Sequence, residues 1–150
     1  MAKRTPLYDA HVRLGGRIVE FGGWDLPVQY TSIVDEHKAT RTVAGVFDVS
    51  HLGRVELRGP GALATLQHIS TNDASTLEVG KAQYSLMLNE RGGIIDDIFI
   101  YRLTESYLIV INAATSEKDI AWMRSHLSNA ELIDRTPETA TIGLQGPMAV

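Results

Sequence analysis

The fold is decided by the stretch Asn89-Glu90-Arg91-Gly92-Gly93-Ile94-Ile95-Asp96-Asp97-Ile98-Phe99-Ile100-Tyr101, in which a turn leads into a strand. Gly92 and Gly93 supply the backbone freedom that a tight turn needs. Apart from two aspartates, residues 94–101 are all apolar or aromatic, and most of them favour strands. Such a continuous run predicts a strand in a sheet that is covered on both faces.

Two adjacent carboxylates interrupt this run. Because successive side chains of a strand point to opposite faces, we expect Asp96 and Asp97 to face apart, so that at most one serves a given pocket. The alternation gives two sets: Ile94, Asp96, Ile98 and Ile100 on one face, and Ile95, Asp97, Phe99 and Tyr101 on the other. Acids in an apolar strand are costly unless they are hydrogen-bonded, paired or used in chemistry. The structural alternative is that both cap a turn or bind backbone N–H groups.

The surrounding pattern predicts an α+β protein, because helices interrupt antiparallel strands. The segment 55–127 reads β-α-β-β-β-α and resembles a ferredoxin-like sheet with helices. Its last helix carries Ile120, Met123 and Leu127 on one face. We expect 51–129 to form a ferredoxin-like second domain, and 1–50 with 130–150 to be parts of an incomplete first domain that supplies a second α+β layer.

Capping residues predict where the two helices of the first 50 residues begin. Thr5 is expected to cap a short helix that ends at Gly15-Gly16, and Thr31 or Ser32 to open a helix through about Thr42. At the other end, Gly146-Pro147 is expected to open a helix that the sequence leaves unfinished at Val150. We therefore expect the chain to be a fragment of a longer protein.

Composition excludes several classes of function. The 150 residues carry a net charge of −4, which gives no electrostatic footprint for nucleic acid or an anionic membrane. There is no cysteine, so disulfides, thiolate metal sites and a cysteine nucleophile are excluded, and the five histidines show no metal-ligand spacing. The N-terminus has no apolar signal segment, and no apolar run reaches transmembrane length. These features predict a cytoplasmic protein.

Other candidate motifs favour structural interpretations. Ser50-His51 invites a hydrolase hypothesis, but adjacent residues do not readily form the geometry of a triad, and G-x-S-x-G is absent. The glycine pairs do not form a phosphate-binding motif. Aromatic residues on neighbouring strands are usually core, although they could also line a slot for a flat heterocycle.

A series of sequence blocks spans the chain: Thr5–His11, Phe21–Tyr30, Glu36-His37, Arg41-Thr42, Gly45–His51, Asn72-Asp73, Tyr84-Ser85, Met87–Asn89, Gly92–Asp97, Asn112–Thr115, Lys118-Asp119 and Leu144–Pro147. In their order and spacing, these blocks resemble the aminomethyltransferase family, the T protein of the glycine cleavage system. Each block alone is weak, but together they are highly specific. The resemblance implies a folate-binding aminomethyltransferase-type fold, here truncated.

The resemblance also implies a reaction and a site. The family moves a one-carbon unit from the aminomethyl-lipoyl arm of the H protein to tetrahydrofolate and releases ammonia. Its catalytic acid, the first of the pair after Gly-Gly, is Asp96 here; a carboxylate in that place can take a proton from folate N5 or stabilise a developing positive charge. Asp97 would then be structural, tied to backbone or a basic residue. The pterin slot is expected near Leu52, Tyr84, Asp96, Ile98, Tyr101 and Asn112.

This sequence departs from the family in two ways. Leu52 stands where many relatives carry Met, a swap that nearly conserves volume. Family members are also more than twice as long, and the folate contacts and barrel of their second half are absent here. The expected alternatives are a folate-binding module or structural fragment without transferase activity of its own, the folate-linked half of a flavin-dependent dehydrogenase, and self-association of the truncated chain through its uncovered surfaces.

Overall fold

The computed structural model describes residues Met1–Ala149 and divides the chain into two compact units. The first unit comprises Met1–His51 and the segment that begins at Glu138, and the second comprises Leu52–Pro137. The strands are β1 Lys3–Arg4, β2 Arg17–Phe21, β3 Trp24–Gln29, β4 Gly45–Asp48, β5 Gly53–Arg58, β6 Ala82–Leu88, β7 Ile94–Arg102, β8 Ser106–Ile111, β9 Glu131–Asp134 and β10 Ile142–Gln145. The helices are α1 Tyr8–Arg13, α2 Ile33–Thr42, α3 Ala62–Ile69 and α4 Ser116–Ser125, with 3-10 turns at Ala74–Thr76 and Thr136–Glu138.

The first unit holds two small sheets. One has the order β1-β3-β2, with β1 parallel to β3, and the other pairs β4 with β10 in antiparallel register. Ser32 caps α2 as expected, because its hydroxyl accepts a hydrogen bond from the Asp35 N–H at 3.3 Å. The expected cap by Thr5 is wrong: α1 follows Leu7, and the Thr5 hydroxyl donates instead to Asp48 Oδ2 at 2.6 Å.

The second unit is one antiparallel sheet of five strands in the order β6-β7-β8-β5-β9. The four strands β7-β8-β5-β9 follow the ferredoxin-like order, and β6 extends that sheet as an edge strand. The mixture of helices with antiparallel strands confirms the α+β class. The unit extends to Pro137, eight residues beyond the boundary expected at 129, because β9 pairs with β5 through Val55–Arg58.

The core of the second unit lies between one face of this sheet and its two helices. Its fully buried members include Leu57 on β5, Ile100 on β7, Leu66 on α3 and Met123 on α4. The opposite face of β7 is open, since Phe99 and Tyr101 are 45% and 40% exposed. The expectation that both faces are covered is therefore wrong, because α3 and α4 both contribute to the same core.

A bulge also changes the start of β7. The register with β6 runs from Met87↔Asp96 to Leu88↔Ile94, so Ile95 is an extra residue on this strand. Ile95 packs against the core while Ile94 is 66% exposed, which reverses the faces expected for these two residues. From Asp96 onward the expected alternation holds.

None of the helices found between Met1 and Ala149 combines the length and the apolar character that a membrane span requires. At the C-terminal end Pro147 and Met148 form a turn, and the helix expected to run from here through Val150 extends outside the described residues.

Candidate active site

Asp96 lies at the bulged start of β7 and is held by donors from three directions. Its Oδ1 accepts hydrogen bonds from the Asn112 side-chain amide at 2.8 Å and from the Asp97 N–H at 2.9 Å. Its Oδ2 accepts a hydrogen bond from the Thr115 hydroxyl. Because Asn112 directly follows β8 and Thr115 directly precedes α4, the sheet and the helix together fix this carboxylate.

Asn112 brings the two adjacent acids together. Its Nδ2 lies 2.8 Å from Asp96 Oδ1 and 2.9 Å from Asp97 Oδ1. One amide nitrogen carries two hydrogens and can serve both oxygens. The side chains of Asp96 and Asp97 thus leave the strand in different directions, as expected, yet their oxygens meet at one amide. Asp97 is tied to this amide and to the Tyr84 phenol rather than to backbone or a basic residue.

Asp119 and Lys118 belong to the same cluster and were not expected there. Asp119 lies one helical turn after Thr115, is fully buried, and interacts with Asp96. Lys118 Nζ donates to the Ile95 carbonyl at 2.8 Å and lies 3.6 Å from Asp119 Oδ1. The signal was present in the sequence, since Asp119 precedes Met123 by four residues and so occupies the apolar face of α4.

The surroundings shift the pKa values of Asp96 and Asp119 in opposite directions. Burial opposes ionisation of Asp96, but hydrogen bonds from Thr115, Asp119 and Asn112 outweigh it and lower the pKa of Asp96 to about 2. Burial, together with the neighbouring Asp96 carboxylate, raises the pKa of Asp119 to about 6. The environment therefore separates two chemically identical acids, an arrangement often found at functional sites.

An aromatic surface lies on the open face of the sheet beside Asp97. We define it by Tyr84, Phe99 and Tyr101, which are 48%, 45% and 40% exposed. Tyr84 and Phe99 pack edge to face with ring centroids 5.4 Å apart. Partial burial and the nearby Asp97 carboxylate raise the pKa of the Tyr84 phenol, so it remains a neutral hydrogen-bond donor.

The other two residues expected at the slot lie elsewhere. Ile98 is 1% exposed and belongs to the hydrophobic core, so it offers no surface to a ligand. Leu52 is half-buried at the start of the second unit, and its carbonyl accepts a hydrogen bond from the Arg54 guanidinium. Across Met1–Ala149, no three His, Asp or Glu side chains are grouped so that they could hold a metal ion.

The first unit has a polar cluster of its own. Asp48 accepts hydrogen bonds on Oδ2 from Thr5 and from His11 Nε2, the latter at 2.8 Å, and on Oδ1 from the Ser50 N–H. His11 Nδ1 lies 2.7 Å from the Tyr30 hydroxyl. Cavities of about 670 and 540 Å³ also lie in this unit, both lined in part by Thr40 and Phe47. Neither cavity is lined by an acid of the Asp96 cluster.

Comparison with known proteins identifies the family of the chain. A family model described as the GCVT N-terminal domain matches residues 7–150. The aminomethyltransferase of Symbiobacterium thermophilum is 54% identical over 153 residues, which cover 98% of this chain and 41% of that protein. The aminomethyltransferase of Geobacillus kaustophilus is 52% identical over 151 residues, covering 99% of this chain and 42% of that protein.

A solved structure shows the same fold. The crystal structure of glycine cleavage system aminomethyltransferase T from Bartonella henselae matches with a TM-score of 0.89 at 34% sequence identity. The match covers 99% of this chain and 42% of that one. The chain therefore spans about two fifths of the length of the relatives that it matches.

Proposed function

The chain belongs to the GCVT N-terminal domain family, and on that basis we propose that it is part of an aminomethyltransferase of the glycine cleavage system. The full-length protein would transfer the one-carbon unit from the aminomethyl-lipoyl H protein to tetrahydrofolate, with release of ammonia. The observation that carries this proposal is the Asp96 carboxylate, which three donors hold and which Asn112 links to Asp97, the acid beside the exposed aromatic rings.

Asp96 is the catalytic residue of the proposal. Its pKa of about 2 keeps it ionised at neutral pH, so it presents a fixed negative charge. A positioned carboxylate stabilises positive charge that develops as the one-carbon unit moves, and it does so without reorganising. The hydrogen bonds from Asn112 and Thr115 supply that positioning, because they lock both carboxylate oxygens.

Tetrahydrofolate would be the co-substrate, and the described residues fit part of it. When bound, it supplies the nitrogen atoms that accept the one-carbon unit. The exposed rings of Tyr84 and Tyr101 offer flat apolar area for a pterin, and Asn112 brings an amide close to both acids. Leu52 remains a proposed neighbour of the pterin, whereas Ile98 is left out because it is buried. Since the chain spans about two fifths of its relatives, the remaining wall of the site would come from sequence outside it.

The alternative proposal is a folate-binding module or structural fragment without transferase activity of its own. The open aromatic surface favours this alternative for the isolated 150 residues, because a half-open site buries little of a ligand. Calorimetry of tetrahydrofolate with the 150-residue chain and with the full-length protein separates the two. Binding only by the full-length protein assigns the isolated chain a structural role.

The test of the proposed function is Asp96→Asn in the full-length protein. We expect transfer to fall by about 10²–10⁴-fold while tetrahydrofolate binding is largely kept, since the change removes a charge but keeps the shape of the side chain. Asp134→Asn is the matched control, because within Met1–Ala149 the side chain of Asp134, at the end of β9, makes a local contact only, with the Thr136 N–H at 2.9 Å. Undiminished transfer by Asp96→Asn would remove Asp96 from its proposed role.

A further inference from the structure

The Asp119 side chain is a buried carboxyl group in the second unit that lacks hydrogen-bond donors among the described residues. It is 0% exposed, and neither of its carboxyl oxygens receives a hydrogen bond from a donor within Met1–Ala149. A buried carboxyl group without donors is strongly destabilised in its charged form. Native structures rarely keep such a group unless its surroundings compensate for the cost or its chemistry is used.

The donors around Asp119 are engaged elsewhere. Thr115 has a single hydroxyl proton, and it is donated to Asp96 Oδ2. The Lys118 ammonium lies 3.6 Å from Asp119 Oδ1 and donates to the Ile95 carbonyl at 2.8 Å. Asp96 from β7 and Lys118 from α4 are the charged groups that act on Asp119, the first raising and the second lowering its pKa.

The polar group that Asp119 meets on β7 is the Asp96 carboxyl, which is also an acceptor when ionised. Two carboxyl groups in contact form a hydrogen bond only when one proton lies between them. Asp96 already accepts from Asn112, Thr115 and the Asp97 N–H, all of which favour its ionised form. The shared proton therefore belongs on Asp119.

We propose that Asp119 is a positioning residue that shares one proton with Asp96, so that the pair, rather than Asp96 alone, accepts the proton released at the reaction centre. This inference rests on the proposed function, because it assigns the reacting atom to Asp96. As folate N5 forms a bond to the one-carbon unit, the bond from that carbon to its amine breaks, and Asp96 takes the N5 proton, which Asp119 shares. The pair then gives this proton to the departing amine, which leaves as ammonia, so no oxidant or reductant is needed.

The Asp96–Asp119 pair accepts a proton at neutral pH more readily than Asp96 alone. A carboxylate with a pKa of about 2 is a weak base at neutral pH, whereas a pair that holds its last proton with a pKa of about 6 takes one up readily. Above pH 6 the pair is doubly ionised and ready to accept, and below pH 6 it is already loaded. The proposal thus predicts a rate that falls as the pH decreases through about 6.

The first measurement needs no substrate. The full-length protein is labelled with ¹³C at aspartate carboxyls, and the Asp119 signal is assigned with Asp119→Asn or, should that variant not fold, with Asp119→Glu. We expect Asp119 to titrate near pH 6 and its pKa to decrease in Asp96→Asn, because the neighbouring charge is removed. Titration near the ordinary value of about 3.9, or no change in Asp96→Asn, would overturn the pairing.

The second measurement is the pH profile of transfer. In Asp119→Asn we expect kcat at pH 7 to fall by about 10–100-fold and the inflection near pH 6 to disappear, with tetrahydrofolate affinity nearly unchanged. A merely structural Asp119 would lower the amount of folded protein without moving the inflection. Asp134→Asn makes the same chemical change on β9 and should leave both the rate and the profile as they are.

The two measurements distinguish a wrong role for Asp119 from a wrong proposed function. If Asp96→Asn retains full transfer, the proposed function fails, yet the titration still reports whether the pair exists. If Asp96→Asn is inactive but Asp119→Asn keeps the wild-type profile, the proposed function stands and the role of Asp119 is wrong. Loss of the inflection together with titration near pH 6 supports both.

Discussion

Each of the two units encloses an aspartate side chain, and the two surroundings are opposites. The Asp48 side chain in the first unit is 2% exposed and accepts hydrogen bonds from Thr5, His11 and the Ser50 N–H. Asp119 in the second unit is fully buried and meets another acid. One site has the donors that a carboxylate needs, and the other lacks them.

The difference separates a structural polar cluster from a chemical one. Burial raises the pKa of Asp48, but the hydrogen bonds from Ser50, Thr5 and His11 outweigh it, so the pKa is lowered overall. Burial and the nearby Asp48 also raise the pKa of the Tyr30 phenol, which makes it a poor nucleophile. The Tyr30-His11-Asp48 arrangement resembles a catalytic relay in its connectivity, and we expect its role to be the stabilisation of the first unit.

The largest expected effect tests that structural role. Asp48→Ala in the full-length protein should lower the free energy of unfolding by about 3 kcal/mol, because it leaves the donors of Thr5, His11 and Ser50 buried without an acceptor. Urea denaturation followed by circular dichroism measures the loss. The matched control is Asp25→Ala, which breaks a largely exposed ion pair with Arg4 and should cost less than about 0.5 kcal/mol. Equal losses in the two variants would show that the Asp48 cluster is not structurally special.

The next effect concerns pH and has opposite signs in the two units. The lowered pKa of Asp48 adds stability that is present above its unfolded value of about 3.9 and lost as the pH falls through the folded pKa. The raised pKa of Asp119 adds stability that is present below about 3.9 and lost as the pH rises through about 6. Asp119→Asn should therefore exceed the stability of the wild type by about 1.5 kcal/mol at pH 5 and by about 3 kcal/mol at pH 8.

Melting temperatures at the two pH values measure this prediction. Asp134→Asn serves as the control, because it removes a carboxylate of the same unit that is bound only locally. A stabilisation of Asp119→Asn that is equal at pH 5 and pH 8 would mean that Asp119 does not change its charge between them. Asp48 and Asp119 would then differ in their packing and not in how their charge depends on pH.

A smaller effect is expected at Asp97, the other acid on β7. Asp97→Asn weakens the contacts with Asn112 and Tyr84, so we expect a loss of about 1 kcal/mol in unfolding free energy and nearly intact transfer. Thermal unfolding and the transfer assay are run on the same preparation, with Asp96→Asn beside it. An unchanged melting temperature with lost transfer would exchange the roles of the two acids.

Short sequence patterns predicted much of the fold. Ser32 was one of the two residues expected to open α2, which it caps in the structure, and Gly92-Gly93 marked the turn before β7. Thr5 misled because a threonine before a helix satisfies the capping pattern, whereas its real acceptor, Asp48, lies 43 residues away in sequence. Long-range acceptors of this kind leave no local pattern.

The candidate site also depends on long-range contacts that short sequence patterns do not predict. Asp96 followed from the resemblance, and its contact with Asn112 and Thr115 depends on where β8 ends and α4 begins. The bulge at Ile95 and the pairing of Asp96 with Asp119 depend on strand register and helix rotation, which no short pattern encodes. In the sequence, the one indication of that pairing was the position of Asp119 on the apolar face of α4.

The smallest expected effect compares one tyrosine from each unit. The Tyr30 hydroxyl lies 2.7 Å from His11, so Tyr30→Phe should cost about 1 kcal/mol, whereas Tyr84→Phe, at a 48% exposed ring, should cost less than about 0.5 kcal/mol. In binding the order should reverse, because Tyr84 belongs to the aromatic surface and Tyr30 does not. Calorimetry with tetrahydrofolate should show about tenfold weaker binding for Tyr84→Ala, little change for Tyr84→Phe, and none for Tyr30→Phe. If Tyr84→Ala binds as wild type does, the pterin does not lie on the open face of the sheet, and Asp96 must be approached from its other side.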